Sequence, residues 1–440
     1  MHEILLQRLR ERQAVVGVIG LGYVGLPLAR AFAQAGHRVL GFDIDPRKVE
    51  QIEAGISYID AVPTPVLAGF RKADRIRATA DFSRVSEVSA IAICVPTPLT
   101  PNLDPDTSYI EKTGDAIAPH LRPGTLVVLE STTYPGTTDE LLRPRLERGG
   151  RLTTGKDLFL AFSPERENPG DPQWTTSRIP KVVGADDPAS RAVANALYEG
   201  AVATVVPVSS TRVAESAKLL ENIYRCVNIA LVNELKMCFS RMGIDVFEVI
   251  EAAKTKPFGF QPFYPGPGLG GHCIPLDPVY LSWKAREFGV KTKFIDLAGE
   301  VNTFMPEWVC ERIMDALNEH QGKALKGAKI LVVGMAYKKN VDDVRESPAL
   351  YVWDMLRKKG ATLEYHDPHV PRVGSGRHYS IEQSSAPLDA AKLAAADLTL
   401  ILTDHDAIDW ELVVKHSRLV VDTRNATKQV RGAATNVVLA

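Results

Sequence analysis

One hexapeptide limits this chain more than any other feature. Gly20-Leu21-Gly22-Tyr23-Val24-Gly25 follows a β-branched run, Ala14 to Ile19, and opens a helical stretch. Glycines at those three places permit a tight turn, let a pyrophosphate approach the helix N-terminal amides, and bring strand and helix close together. The hexapeptide alone is a weak signal, and its setting strengthens it. A second strand-like run, Arg38 to Asp43, ends in an acid about twenty residues on, where a carboxylate accepts hydrogen bonds from a ribose diol. Such a carboxylate repels a 2′-phosphate, so Asp43 favours NAD over NADP. Arg47 and Lys48 lie close by and act against that preference, and Lys48 is counted with the cofactor-binding residues.

Further runs at Ala90 to Val95, Thr125 to Leu129, Leu158 to Phe162, Lys181 to Val183 and Thr204 to Val206 alternate with helical sequence. That alternation predicts a doubly wound parallel sheet. A helical pattern then spans Thr211 to Met242, with Ser210 or Thr211 as N-cap and Gly243 as a left-handed stop. A Pro/Gly-dense loop, Pro257 to Pro278, leads into more helical sequence from Val279 to about Asn318. From Lys329 the βαβ order begins again: Ile330 to Val333, Gly334, Pro348 as first helical residue, Gly360 as helix stop, Thr362 to Tyr365, then Asp367. Strand-like runs at Leu398 to Leu402 and Leu419 to Asp422 complete this second α/β domain. The expected architecture is α/β, two Rossmann-like doubly wound parallel-sheet domains joined by a long central helix. Its parts are an NAD-binding domain at 1–208, a helical region at 209–318 that also supports dimerisation, and a smaller Rossmann-like domain at 319–440.

With 52 basic against 53 acidic residues, the net charge of −1 offers no broad basic field for nucleic acid or an anionic membrane surface. No apolar run approaches the ~20 residues of a membrane span, and Met1 to Gln13 is too polar for a signal peptide. The five cysteines are widely spaced and form no C-x-x-C pair, which points away from disulfides and structural zinc and toward the reducing cytoplasm.

The segments Val95-Pro96-Thr97-Pro98 and Glu130-Ser131-Thr132-Thr133 follow strands, where the carboxyl edge of such a sheet meets its ligand. The run Pro265-Gly266-Pro267-Gly268-Leu269-Gly270-Gly271-His272-Cys273 presents one thiol behind backbone free to approach a ligand. Beside a nicotinamide such a thiolate captures an aldehyde, so that an alcohol is carried on to the acid through a thioester. That chemistry needs a nucleophile, an oxyanion stabiliser and a group that activates water. Lys218 and Asn222 share one face of the long helix among apolar neighbours, which suits them to a developing negative charge. Asp277, four residues beyond Cys273, and Glu165 in Ser163-Pro164-Glu165-Arg166 are both candidates for the base. Adjacent side chains point apart, so His272 is read as structural. In the C-terminal domain the turn Gly334-Met335-Ala336-Tyr337-Lys338-Lys339, with Arg345, places cations where a diphosphate could lie.

Taken together, Gly17 to Gly25, Ser131-Thr132, Ser163-Pro164-Glu165, Lys218 with Asn222, Gly270 to Asp277 and Gly334 to Ser347 resemble the UDP-glucose/GDP-mannose dehydrogenase family over nearly the whole chain. The resemblance implies NAD-dependent four-electron oxidation of the C6 hydroxyl of a UDP-sugar, in a cleft between the end domains of a homodimer or higher homo-oligomer. Cys273 is implied as nucleophile, with Lys218, Asn222 and Asp277 around it and Thr132 and Glu165 opposite. The implied cofactor set is Gly20, Gly22, Tyr23, Val24, Gly25, Asp43, Lys48, Val95, Pro96, Thr97, Ser131, Thr132 and Arg345. The implied sugar-nucleotide contacts are Glu165, Arg166, Lys218, Asn222, Tyr264, Gly268, Gly270, Tyr337, Lys338 and Arg424, and no metal is implied. Within the family, Lys256 to Gly268 looks most like UDP-N-acetylglucosamine 6-dehydrogenases, which serve surface polysaccharide synthesis, including lipopolysaccharide O-antigen. Lys254 and Lys256 stand near the place where UDP-glucose enzymes have an arginine reaching from the partner subunit. The alternatives are UDP-glucose, UDP-N-acetylgalactosamine, UDP-N-acetylmannosamine or GDP-mannose as substrate, and, from another class, a catalytically silent nucleotide-sugar or NAD-binding protein.

Overall fold

The computed structural model describes all residues except 60, 167–176, 272, 375–380 and 433, and it leaves the side chain of Cys273 undescribed. The chain divides into two compact units: Met1–Glu221 with Val279–Val290, and Asn222–Pro278 with Lys291–Ala440.

The first unit is built on an eight-stranded sheet. Its spatial order is Ile76–Thr79, Arg38–Phe42, Val15–Ile19, Ala90–Ile93, Thr125–Leu129, Leu158–Phe162, Lys181–Gly184 and Val205–Val208. The central strands are short apolar runs because helices cover both faces. Ala90–Ile93, Thr125–Leu129 and Leu158–Phe162 are buried along their whole length. Burying each of their large side chains stabilises the unit by roughly 1.5–3 kcal/mol. The first six strands run parallel, as the alternation predicts. Lys181–Gly184 pairs antiparallel with Leu158–Phe162 and parallel with Val205–Val208, so the last two strands run opposite to the rest. Asp45 and Asp187 cap the helices Pro46–Glu53 and Pro188–Tyr198 by accepting from Arg47 N and Ser190 N, with proline as the first helical residue in each.

The second unit holds a five-stranded parallel sheet, in the order Thr362–His366, Lys329–Val333, Leu398–Ile401, Val420–Asp422, Val437–Leu439. Ser347 caps the helix Pro348–Lys358, and Gly360, at φ +91, turns the chain after it. The strands Ile76–Thr79 and Val437–Leu439 and the small ladder Arg372–Val373 with Gln383–Ser384 go beyond the sequence reading. All are edge elements of two to four residues, too short to set a pattern.

The long helix spans Thr211–Arg241 and is followed by Gly243 at φ +70. Its first part belongs to the first unit and its remainder to the second. The Pro/Gly segment ends earlier than expected, because a helix begins at Cys273 and runs to Glu287, and Asp277 is therefore helical. Pro275 falls in its first turn, where a missing N–H costs nothing, and Pro278 is accommodated just beyond. Gly289, at φ +71, separates it from a second helix, Lys293–Gln321. Among the described residues no helix is long and apolar enough to cross a membrane.

Candidate active site

Each glycine of the first turn has a distinct physical role. Gly20 sits at φ +87, and a Cβ there would come within 2.5 Å of the Cys94 carbonyl oxygen. A Cβ on Gly25 would fall 1.8 Å from the Gly20 carbonyl oxygen, so only glycine lets the helix start this close to the strand. A Cβ on Gly22 would meet nothing within 4 Å, which leaves its backbone face free for a pyrophosphate. Asp43 is 5% exposed. It accepts from Leu21 N at 2.9 Å and Asp45 N at 2.9 Å, and its Oδ2 lies 3.1 Å from Lys48 Nζ. Lys48 is thus held by Asp43 itself. Tyr58 donates to the Leu21 carbonyl at 2.6 Å, and burial, with Asp43 and Asp45 nearby, raises its hydroxyl well above the usual range.

The other strand-end segments are stitched together in the same unit. Ser131 donates to the Val95 carbonyl at 2.8 Å, and Thr97 donates to the Thr132 carbonyl at 2.8 Å. Tyr280, on the helix that starts at Cys273, donates to the Thr97 carbonyl. Further along that helix Trp283 packs on Tyr134, ring centroids 5.0 Å apart, and Lys284 pairs with Glu140 at 2.8 Å. A small cleft beside the first turn is lined by Val24, Leu28, Glu130, Glu165, Arg166 and Lys181. Burial raises the Glu130 carboxyl against the opposing influence of Lys181, and both Lys181 and Tyr198 donate to it.

Lys218 is 6% exposed, donates to the Glu165 backbone carbonyl, and lies 3.7 Å from the Glu165 carboxylate. Arg166 pairs instead with Glu221 at 2.6 Å. One turn beyond Lys218 on the same helix, Asn222 is 3% exposed and donates to Asp277, itself 2% exposed. Asp277 in turn lies one turn beyond Cys273. The side chain of Cys273 and the whole of His272 lie outside the described residues.

In the second unit the glycine-rich loop packs on the turn the sequence singled out. A Cβ on Gly270 would come within 2.7 Å of Tyr337 Cβ, and Gly271 donates to the Arg345 carbonyl at 3.2 Å. Gly268 adopts φ +137 against Pro348 and the Asn302 carbonyl. Arg424 lies over Gly266, where a Cβ would fall 2.4 Å from its Nη1. Arg345 pairs with Asp343 at 2.7 Å, and Tyr264 donates to Glu251 at 2.6 Å. Lys338 follows Tyr337 in the turn. Asp367 repeats the position of Asp43 but is occupied internally, accepting from Met335 N, Ala336 N and His405 Nε2. Burial alone would raise its pKa, yet His405 and the turn N–H groups bring it down to about 2.

Sequence reasoning missed Glu215, Tyr280, Trp283 and Asn233. Glu215 is fully buried and accepts from Gly136 N at 2.6 Å, Thr138 N at 2.9 Å and Thr138 Oγ1 at 2.7 Å, which ties the segment after Thr132 to the Lys218 helix. Extending the Lys218–Asn222 stripe along the helix in both directions would have found Glu215 and Asn233.

Comparison with known proteins agrees with this fold. Residues 14–202, 212–304 and 331–429 match the NAD binding, central and UDP binding domains of the UDP-glucose/GDP-mannose dehydrogenase family. A UDP-N-acetyl-D-glucosamine 6-dehydrogenase of Pseudomonas aeruginosa is 35% identical over 86% of this chain and 88% of its own. A UDP-N-acetyl-D-mannosamine dehydrogenase of Salmonella typhi is 36% identical over 93% and 98%. Among solved structures, a UDP-D-ManNAc dehydrogenase from Pyrococcus horikoshii superposes with TM-score 0.86 at 30% identity, covering 97% of this chain and 98% of that one. The fold and the three matched domains define an NAD-dependent oxidoreductase acting on a nucleotide sugar. The chain belongs to the UDP-glucose/GDP-mannose dehydrogenase family.

Proposed function

We propose that the chain oxidises the C6 hydroxyl of UDP-N-acetylglucosamine to the uronic acid, in the cytoplasm, for surface polysaccharide synthesis. The observation that supports this most is the Asn222 to Asp277 hydrogen bond. It ties the helix that carries Asn222 to the helix that begins at Cys273, so two of the residues the chemistry needs, Asn222 and Asp277, are in direct contact. The reading divides the chain into 1–208, 209–318 and 319–440, with the cofactor on the first segment and the UDP moiety on the last.

When bound, NAD takes up the hydride removed in each of two oxidations. Gly20, Gly22, Tyr23, Val24 and Gly25 hold its pyrophosphate, Asp43 its ribose, and Val95 to Thr97 with Ser131 and Thr132 its nicotinamide end. Lys48, paired with Asp43, and Arg345 complete the set. Lys218 and Asn222 stabilise the alkoxide as the C6 hydroxyl gives its proton to the base, Asp277 or Glu165. The Cys273 thiolate adds to the aldehyde, forming a carbon–sulfur bond and a thiohemiacetal. Loss of the second hydride leaves a thioester, and water activated by Asp277 or Glu165 cleaves it, releasing the carboxylate and restoring the thiol. Thr132 and Glu165 border the reacting carbon. Arg166, Tyr264, Gly268, Gly270, Tyr337, Lys338 and Arg424 hold the sugar nucleotide.

We further propose a homodimer. Leu220, Tyr224 and Leu231 on the long helix and Phe294, Leu297 and Phe304 on the Lys293–Gln321 helix are exposed apolar side chains at helical spacing, and a second copy would cover them.

A second reading, UDP-N-acetylmannosamine as substrate, is favoured by the P. horikoshii and S. typhi relatives. NADH release measured against both C2 epimers, UDP-glucose, UDP-N-acetylgalactosamine and GDP-mannose decides. Highest kcat/KM on UDP-N-acetylglucosamine supports the proposal, and turnover of the manno epimer alone refutes it. No turnover of any sugar, with NAD still bound, would revive the silent binding protein.

A further inference from the structure

On the same stripe of the long helix that bears Asn222, the second unit contains a buried amine that the mechanism does not use. Lys236 is 3% exposed. Its Nζ lies 5.0 Å from the centroid of the Trp308 ring, and its hydrogen bond to the Thr423 carbonyl, at 3.5 Å, is long. One residue on, Arg424 donates from Nε to the Leu402 carbonyl at 3.0 Å and from its backbone to Asp422 at 2.9 Å, and its guanidinium covers Gly266. Asn233, one turn before Lys236, accepts from Gly266 N at 3.0 Å and donates to Asn302 at 2.9 Å. One helix face thus supports both the Arg424 turn and the glycine loop that leads to Cys273.

The charged groups that act on Lys236 come from that turn. Asp422 favours the ammonium, but its carboxylate already accepts from Arg424 N, Ala426 N, Thr427 N and Thr427 Oγ1. Arg424 disfavours it, while from the Lys293–Gln321 helix Lys236 meets the uncharged Trp308 ring. Burial first, then Arg424, pushes the Lys236 amine down to about 7. An anion placed at Arg424 reverses the local balance, because it offsets the guanidinium that keeps the amine neutral.

We propose that Lys236 is a proton-linked positioning residue: when a nucleoside diphosphate binds at the Arg424 turn, the Lys236 amine takes a proton from solvent and anchors Thr423 and Arg424 beneath the ligand. The inference rests on the reading that Arg424 meets the sugar nucleotide. Its consequence is a nucleotide affinity that falls as pH rises through neutrality, with no change of protonation on the ligand.

Isothermal titration calorimetry of the full chain with UDP-N-acetylglucosamine, without NAD, tests it. That diphosphate diester has no group titrating near neutrality, so runs in two buffers of different ionisation enthalpy at pH 7.5 count protons taken up by the protein. Wild type should take up about half a proton more per ligand than Lys236→Met, and Lys236→Arg, always charged, should bind without uptake. Wild-type affinity should also drop about tenfold from pH 6.5 to 8.5, a measurement that needs no variant. Binding with equal uptake in wild type and Lys236→Met, or a flat wild-type pH profile, overturns the inference alone. Failure of wild type to bind the ligand overturns the functional reading and this inference with it.

Discussion

Asn222 donates its side-chain amide to the carboxylate of Asp277, and both are almost fully buried. The contact matters because each partner stands one helical turn from a residue to which the proposed mechanism gives a reacting role, Lys218 on one helix and Cys273 on the other. Replacing Asn222 with Asp would set two carboxylates against each other. Turnover should fall at least ~10-fold and recover in part in Asn222→Gln. Equal activity in Asn222→Asp and wild type would remove the contact from the account.

Lys218 is held by the Glu165 carbonyl and faces its carboxylate. If its ammonium stabilises an oxyanion, Lys218→Ala should lower kcat by at least ~10² while NAD affinity is kept. Steady-state kinetics beside NAD fluorescence titration read both quantities. A variant with wild-type kcat would return Lys218 to a structural role.

The first-turn glycines separate folding from binding. Gly25→Ala places a methyl 1.8 Å from the Gly20 carbonyl oxygen and should destabilise the first unit. Gly22→Ala meets open space, so thermal stability should be unchanged while NAD binds at least about tenfold more weakly. Unimpaired NAD binding in Gly22→Ala would move the pyrophosphate elsewhere.

Glu215 gives a pH-dependent prediction. Burial raises its carboxyl to about 7, against the hydrogen bonds from Gly136 and Thr138 that favour the charged form. With the folded value above the unfolded one, the group imposes no penalty below the unfolded value near 4.5, and the penalty grows to its full size above about 7. Glu215→Gln, which does not titrate, should be less stable than wild type at pH 5, because its amide opposes the Gly136 N–H. Wild type's advantage should shrink by roughly 2–3 kcal/mol between pH 5 and pH 8 in denaturant unfolding. A constant difference across that range would contradict the assignment.

Much of the fold is legible in the sequence. The glycine turn, Asp43 and the buried strands are local signals, in which one short segment specifies its own conformation. The paired Lys218 and Asn222 were legible because helical periodicity places them together. The helix start at Cys273 was not, since two prolines and a run of glycines read as loop, although Pro275 falls in the first turn, where proline is tolerated. Glu215 and Tyr280 were invisible for another reason. Their partners, Gly136 with Thr138 and Thr97, lie at long sequence separations that only the fold brings together.

The most direct test of the whole reading is the product made by Cys273→Ser. With NAD binding intact, that variant should form no uronic acid from UDP-N-acetylglucosamine, while wild type releases two NADH for each sugar consumed. Acid produced by the variant at the wild-type rate would contradict covalent capture at Cys273.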